Sequence, residues 1–178
     1  TVPASVPYIK AEESLVAGWR EKLGTRGFKI GVSWHGSPHS GGRSFPLAAL
    51  AEIASLPGVR LISLQKGAGS EQLHRLPSGM CVEDLGPAYD AGDFADTAAV
   101  IAALDLVITC DTAMAHLAGA LGRPALIALK QSADWRWLTG RDDSPWYPTA
   151  RLFRQPVGRD WKSVFAAMNR NLAERLTA

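Results

Sequence analysis

A chain of 178 residues is long enough to bury the core of one ordinary domain, and at 47% hydrophobic and 20% charged it is globular rather than disordered. A formal net charge of +2 with no basic run argues against nucleic acid as a partner. No apolar run approaches the ~20 residues of a membrane span, and Thr1-Val2-Pro3-Ala4-Ser5 is no signal peptide, so a cytoplasmic location is expected.

Residues 1–8 carry Pro3 and Pro7 and read as an extended linker. The chain starts without Met, so we expect a piece of a longer polypeptide, with the linker arriving from a missing N-terminal region and the domain proper over 9–178. Leu15, Val16, Trp19 and Leu23 fall at helical spacing and predict an amphipathic helix over 11–23, ended by Gly24 and Gly27. A first strand is expected over 28–34, followed by a polar, glycine-rich loop over 35–44 whose length suggests a function. Pro46 opens a helix to about residue 56, Pro57-Gly58 turns the chain, and 59–64 reads as a second strand leading into Gln65-Lys66-Gly67. A short helix over 70–76 and a third strand over 80–85 follow, then a polar loop over 86–96 and a helix over 97–104 capped by Asp96.

Leu106-Val107-Ile108 is an unbroken apolar run, the mark of a strand buried on both faces, and it stops at Asp111 and Thr112, which favour helix starts. The helix over 113–121 is built from small residues and closed by Gly122 and Pro124. A fifth strand over 125–129, an aromatic-rich irregular stretch over 132–148, a sixth strand over 151–154 and a closing helix over 161–176 complete the chain. Strands alternating with helices predict an α/β fold, a doubly wound Rossmann-like parallel sheet of about six strands. Cys81 and Cys110 each fall in a predicted strand and are expected as buried free thiols.

The loop after the first strand lacks G-x-G-x-x-G and the G-K-[ST] of a P-loop, and the chain has no G-x-S-x-G, H-E-x-x-H or C-x-x-C. No Asp-x-Asp pair stands ready for a sugar diphosphate, so no obligatory metal is expected. What remains is a set of polar groups at the carboxyl ends of successive strands, which converge on one crevice in a doubly wound sheet. Thr112 and Ala113 bring backbone N–H groups to an anion at the helix N-terminus, with Asp111 before them and His116 one turn in. Arg43 and Lys66 are the cations to neutralise a diphosphate, and Ser37, Gln65, Asp93, Asp96 and Thr97 complete the expected binding set, with Gln65, Asp93 and Asp96 as holders of a ribose or base edge. Each also has a plainer role: a helix cap for Asp96, Asp111 or Thr112, core packing for His116, solvated charge for Arg43 and Lys66, and core or lid packing for Trp135, Trp137 and Trp146.

Five ordered motifs carry a resemblance: 30–38, Ser63-Leu64-Gln65-Lys66-Gly67, 93–98, Asp111-Thr112 through His116 to Pro124, and Asp134-Trp135-Arg136-Trp137 through 144–148. From Val6 to about Gln155 the chain resembles the C-terminal half of bacterial glycosyltransferases that often carry tetratricopeptide repeats and, more distantly, the lipopolysaccharide heptosyltransferases. The resemblance implies one half of a two-domain GT-B architecture, with this half binding the sugar nucleotide. The acceptor site and general base would then belong to the missing N-terminal domain, and a repeat scaffold is a further expected partner. In the heptosyltransferase pattern an acidic residue, a Thr and a small residue open the diphosphate-binding helix and a His follows, which maps onto Asp111, Thr112, Ala113 and His116; the family's usual Gly is here Ala113. The basic residue of the first loop maps onto Arg43 before Pro46, where Lys is more typical. Arg43 and His116 are thus the expected catalytic groups, in an inverting transfer where an acceptor oxygen displaces a nucleoside diphosphate. The sugar nucleotide is substrate, with no separate cofactor, and the fragment alone is expected to bind it and transfer poorly or not at all. The rival readings are a sugar-nucleotide epimerase-like enzyme and a non-catalytic binding module on a repeat scaffold.

Overall fold

The computed structural model describes residues 5–37, 41–158 and 160–177. Residues 1–4 of the expected linker, including Pro3, and residues 38–40 of the first long loop lie outside them. A parallel six-stranded sheet organises the chain in the order β3-β2-β1-β4-β5-β6. Its strands are β1 (Phe28–Ser33), β2 (Val59–Ser63), β3 (Val82–Glu83), β4 (Leu106–Cys110), β5 (Ala125–Leu129) and β6 (Ala150–Arg154). The helices are α1 (Glu13–Leu23), α2 (Ala51–Ala54), α3 (Pro87–Ala91), α4 (Phe94–Ala103), α5 (Ala113–Ala120) and α6 (Trp161–Thr177). A 3₁₀ turn over Leu47–Leu50 runs into α2, and further 3₁₀ turns cover Ser70–Arg75 and Trp135–Trp137. The architecture is the expected α/β doubly wound Rossmann-like sheet.

The central strands are buried on both faces, so alternate residues feed two separate cores. Along β4, Val107 joins the core under α1 and α4 with Val16, Trp19, Val100 and Ile127. Leu106, Ile108 and Cys110 join the opposite core with Leu50, Ile53, Phe165 and Met168. Gly31 in β1 marks the tightest approach: a Cβ there would meet Leu104 Cδ1 at 2.5 Å and Leu64 Cδ1 at 2.7 Å. Burial pushes the Cys110 thiol up to about 12, so it acts as a small apolar side chain.

Four expectations need correction. The strand expected over 80–85 shortens to Val82–Glu83, because this edge position pairs only with β2, through Leu61 and Ile62. Cys81 consequently lies outside the strand and is exposed, not buried. The polar loop over 86–96 contains α3, started by Pro87 at the first helical position, where its missing N–H costs nothing. Finally α4 begins three residues earlier than expected, since Asp93 and not Asp96 is its N-cap: Asp93 Oδ1 accepts from the Ala95 N–H at 2.7 Å and the Asp96 N–H at 3.2 Å.

The described part of the expected linker is fastened to the end of α5. The N–H groups of Tyr8 and Ile9 both donate to the Ala120 carbonyl, at 3.0 and 3.3 Å, and Pro7 packs on Gly122. On the side of α5, the Tyr147 ring lies directly against Gly119, where any Cβ would overlap its Cγ and Cδ atoms. Gly119→Ala is therefore expected to displace a buried ring and destabilise the fold by about 1–3 kcal/mol, the usual cost of overpacking. Urea denaturation measures it; a loss below about 0.5 kcal/mol would mean that the ring moves aside freely.

Candidate functional site

Strand order reverses between β1 and β4, the place where the loops leaving neighbouring strands part to opposite faces and open a crevice. A cavity of about 780 Å³ lies there, at the carboxyl ends of β1, β2 and β4. All of the expected site residues except Asp96 line it. Asp96 turns the other way and accepts a hydrogen bond from the Trp19 indole of α1 at 3.2 Å, which fastens α4 to α1.

The wall formed by α5 comes straight from the sequence around Asp111. The fully buried β4 ends at Cys110 and the chain turns through Asp111, which is only 6% exposed. Thr112 is the N-cap with an extended backbone (φ −138°, ψ 176°), but its side chain caps nothing; its hydroxyl shares a 3.1 Å hydrogen bond with the Thr109 hydroxyl instead. Within a helix the first N–H groups have no carbonyl partner, so those of Ala113 and Met114, two residues that line the cavity, have neither an intrahelical nor a side-chain acceptor among the described residues. The helix dipole adds partial positive charge at the same point.

Arg43 crosses the switch point to reach this turn. Its Nη1 donates to the Asp111 carbonyl at 2.9 Å and lies 3.9 Å from the Asp111 carboxylate. The Arg43 Nε is buried without an acceptor among the described residues, a situation that costs about 1–3 kcal/mol unless an oxygen reaches it. On the opposite wall, Lys66 Nζ donates to the Gly92 carbonyl at 2.7 Å and sits 4.2 Å from the centre of the Tyr89 ring. Both cations are thus held in place by the protein, not free in solvent.

Gln65 lines the cavity, yet its amide is committed to the frame. Its Oε1 accepts from the N–H groups of Trp34 and His35 at 3.2 and 2.9 Å, and its Nε2 donates to the carbonyls of Ala68 and His35 at 2.9 and 3.2 Å. The side chain therefore ties the loop after β1 to the loop after β2. Asp93 is likewise occupied as the α4 cap, and the Thr97 hydroxyl donates to the Asp93 carbonyl at 3.1 Å.

His116 is half-buried between the cavity and a cluster of aromatic rings. It stacks on Trp137 at 5.2 Å and 19°, and its Nδ1 shares a 3.0 Å hydrogen bond with the Tyr147 hydroxyl. Burial lowers its pKa below the ordinary 6.5, opposed by the Asp111 carboxylate and aided by Arg136. The packing role and the cavity-facing role expected of this residue coexist.

Cavity residues absent from the expected set include His35, Phe94, Met114, Asp134 and Arg136. Phe94 is 63% exposed at the first position of α4, so an aromatic face stands in the cavity rim. The signal for it was present: a large aromatic directly after a capping Asp, at the end of a polar loop. Asp134 and Arg136 form an ion pair at 2.8 Å, and their side chains arrive from the 3₁₀ turn after β5, too irregular to place from periodicity. Among the described residues, no group of three or more His, Cys, Asp or Glu side chains is placed to hold a metal ion, and no helix is long and apolar enough to cross a membrane.

The depressed pKa of His116 gives a pH dependence with a definite sign. Below pH 6.5 the unfolded chain protonates this imidazole while the folded chain resists, so its effect on stability worsens as pH falls from 6.5 to the folded pKa and then levels off. An NMR titration of the His116 ring should show a midpoint below 6.5; a midpoint at or above that value would overturn the burial account.

Residues 45–138 match the model of glycosyltransferase family 9 (heptosyltransferase). Protein FlbA of Caulobacter vibrioides is 33% identical over 159 residues, which cover 85% of this chain and 26% of FlbA. Of the solved structures, E. coli ADP-heptose lipopolysaccharide heptosyltransferase II is similar with a TM-score of 0.67 at 19% identity, over 99% of this chain and 54% of that one. E. coli heptosyltransferase WaaC with ADP is similar with a TM-score of 0.65 at 20% identity, over 97% of this chain and 52% of that one. The family 9 glycosyl transferase of Veillonella parvula gives 0.63 at 14% identity, over 94% and 52%. The chain thus spans about a quarter of FlbA and about half of the solved heptosyltransferases, whose likeness is one of fold. The family match runs from Phe45 through β2, β4, α5 and β5 to Leu138 and so takes in most of the cavity walls; the chain belongs to glycosyltransferase family 9, the heptosyltransferase family.

Proposed function

We propose that this chain is the donor-binding half of a GT-B glycosyltransferase and that its cavity holds a nucleoside-diphosphate sugar. The observation that carries the reading is the uncapped N-terminus of α5, open to a cavity flanked by Arg43 and Lys66. A diphosphate there accepts from the N–H groups of Ala113 and Met114 and from the Thr112 hydroxyl, and the unpaired Arg43 Nε becomes a further donor. The base lies toward Phe94, whose exposed ring offers a stacking face. Support for a nucleotide of this kind comes from WaaC, solved with ADP and with ADP-2-deoxy-2-fluoro heptose.

In the proposed reaction an acceptor oxygen forms a bond to the anomeric carbon from the face opposite the diphosphate. The bond from that carbon to the phosphate oxygen breaks, its electron pair passes to the diphosphate, and the acceptor proton goes to a base outside this chain. Arg43 and His116 stabilise the negative charge that grows on the leaving group, with no metal required. The acceptor site belongs to an N-terminal half, a repeat scaffold adjoins it in the full polypeptide, and the enzyme works in the cytoplasm. FlbA, about four times the matched length, is long enough to hold such parts.

Titration calorimetry with a panel of nucleoside diphosphates, ADP first, tests the reading. The informative variant is Ala113→Pro, which deletes one N–H donor at a position where proline is compatible with a helix, after a Thr112 whose extended backbone already suits it. Helicity should persist while affinity falls by about 1.5–3 kcal/mol, the value of a hydrogen bond to a charged group. Thr112→Ala and His116→Ala should each cost about 1–3 kcal/mol. Unchanged affinity in Ala113→Pro removes the phosphate from α5, and absence of binding by every diphosphate at millimolar concentration leaves the non-catalytic module as the reading.

A further inference from the structure

A second cavity, of about 490 Å³, adjoins the first and shares His116 and Arg136 with it. Its walls are Trp135, Trp146, Trp137, Tyr147 and, from the N-terminal segment, Tyr8. Trp137 and Tyr147 are buried and belong to the core. Trp135 is different: it is 67% exposed, an unusual place for the largest apolar side chain. Its ring meets that of Trp146 nearly at right angles, 85° at 6.4 Å, so the two indoles form a corner. The corner is held rather than loose, because Trp146 Nε1 donates to the Arg136 carbonyl at 2.9 Å and the Arg136 guanidinium covers Trp135 at 5.1 Å from its ring centre.

We infer that this aromatic corner is a carbohydrate subsite that takes a pyranose ring. The inference rests on the nucleotide reading for its link to a donor. Three observations argue for a sugar. A pyranose has a C–H face that is apolar and slightly electropositive, which matches the electron-rich face of an indole. Its rim of hydroxyls matches the polar groups around the corner: the Arg136 guanidinium, the Tyr8 hydroxyl, which also bonds to that of Tyr147, and the His116 ring. The shared residues also make the two cavities neighbours, so a group attached beyond a distal phosphate at α5 would lie on the side of His116 and Arg136 that leads toward Trp135. The same chemistry would serve either the glycosyl group of the donor or a sugar of a glycan acceptor.

Saturation-transfer NMR with methyl glucoside, methyl galactoside and methyl mannoside, on the protein and on Trp135→Ala and Trp135→Phe, tests the site without any nucleotide. At least one glycoside should receive saturation on its C–H face, Trp135→Ala should weaken it by at least about fivefold, and Trp135→Phe should recover part of the loss. Calorimetry then separates the sources. If Trp135→Ala weakens ADP-heptose more than ADP, the ring is the donor's own; if a glycoside binds undiminished alongside saturating ADP-heptose, it is the acceptor's. Failure of every nucleoside diphosphate of the panel to bind while a glycoside still does overturns the nucleotide reading and leaves the subsite standing. No saturation of any glycoside, or equal saturation with Trp135→Ala, overturns the subsite.

Discussion

The reversal of strand order between β1 and β4 is the constraint on which the site depends. It forces the loop after β1 and the turn after β4 apart, and the Arg43 side chain spans the gap: it grips the Asp111 carbonyl and fixes where α5 begins. The position of the first N–H groups of α5 follows from that grip, whereas Lys66 opposite is held by its own bond to the Gly92 carbonyl and by the Gln65 amide that binds the β1 and β2 loops together. Cavity shape is thus set by hydrogen bonds to backbone carbonyls and N–H groups, which hold loops without any regular structure of their own. Proteins of this fold diverge widely in sequence while the sheet persists, as the identities of 14–20% to the solved relatives illustrate.

The parts of the fold that were legible in the sequence are those where burial is complete. β4 and β5 read correctly because residues buried on both faces must all be apolar or nearly so, and α5 because a Thr at the N-cap position and a closing Gly bracket a run of small residues. Edges misled for the opposite reason. The strand expected over 80–85 has only one neighbouring strand, and two ladder residues are all that pairing sustains. The start of α4 was ambiguous because Asp93 and Asp96 are equally good caps in isolation; the Trp19 indole, seventy-seven residues away, takes Asp96 out of the contest.

The candidate site was legible as a set of loops more than as a set of roles. Arg43, Lys66, Thr112 and His116 converge because each follows a strand end. Gln65 shows the limit: its position was right, but a ligand-facing role was expected of an amide whose partners are loop backbone atoms that no spacing reveals. Phe94 and Arg136 escaped because they line the cavity from the first turn of a helix whose start was misread and from an irregular turn after β5.

The contact between His116 and Tyr147 reaches further than packing. A neutral imidazole carries one proton, and with the Tyr147 hydroxyl on Nδ1 only Nε2 is left for a ligand. An anion there requires the proton on Nε2, which turns Nδ1 into an acceptor and makes the phenol the donor; a ligand that offers a proton instead demands the reverse. Tyr147 can play either part because a hydroxyl rotates, whereas a carboxylate in its place would lock one tautomer. The ring packed on Gly119 therefore leaves the imidazole two-faced, and the choice of tautomer passes to whatever occupies the cavity.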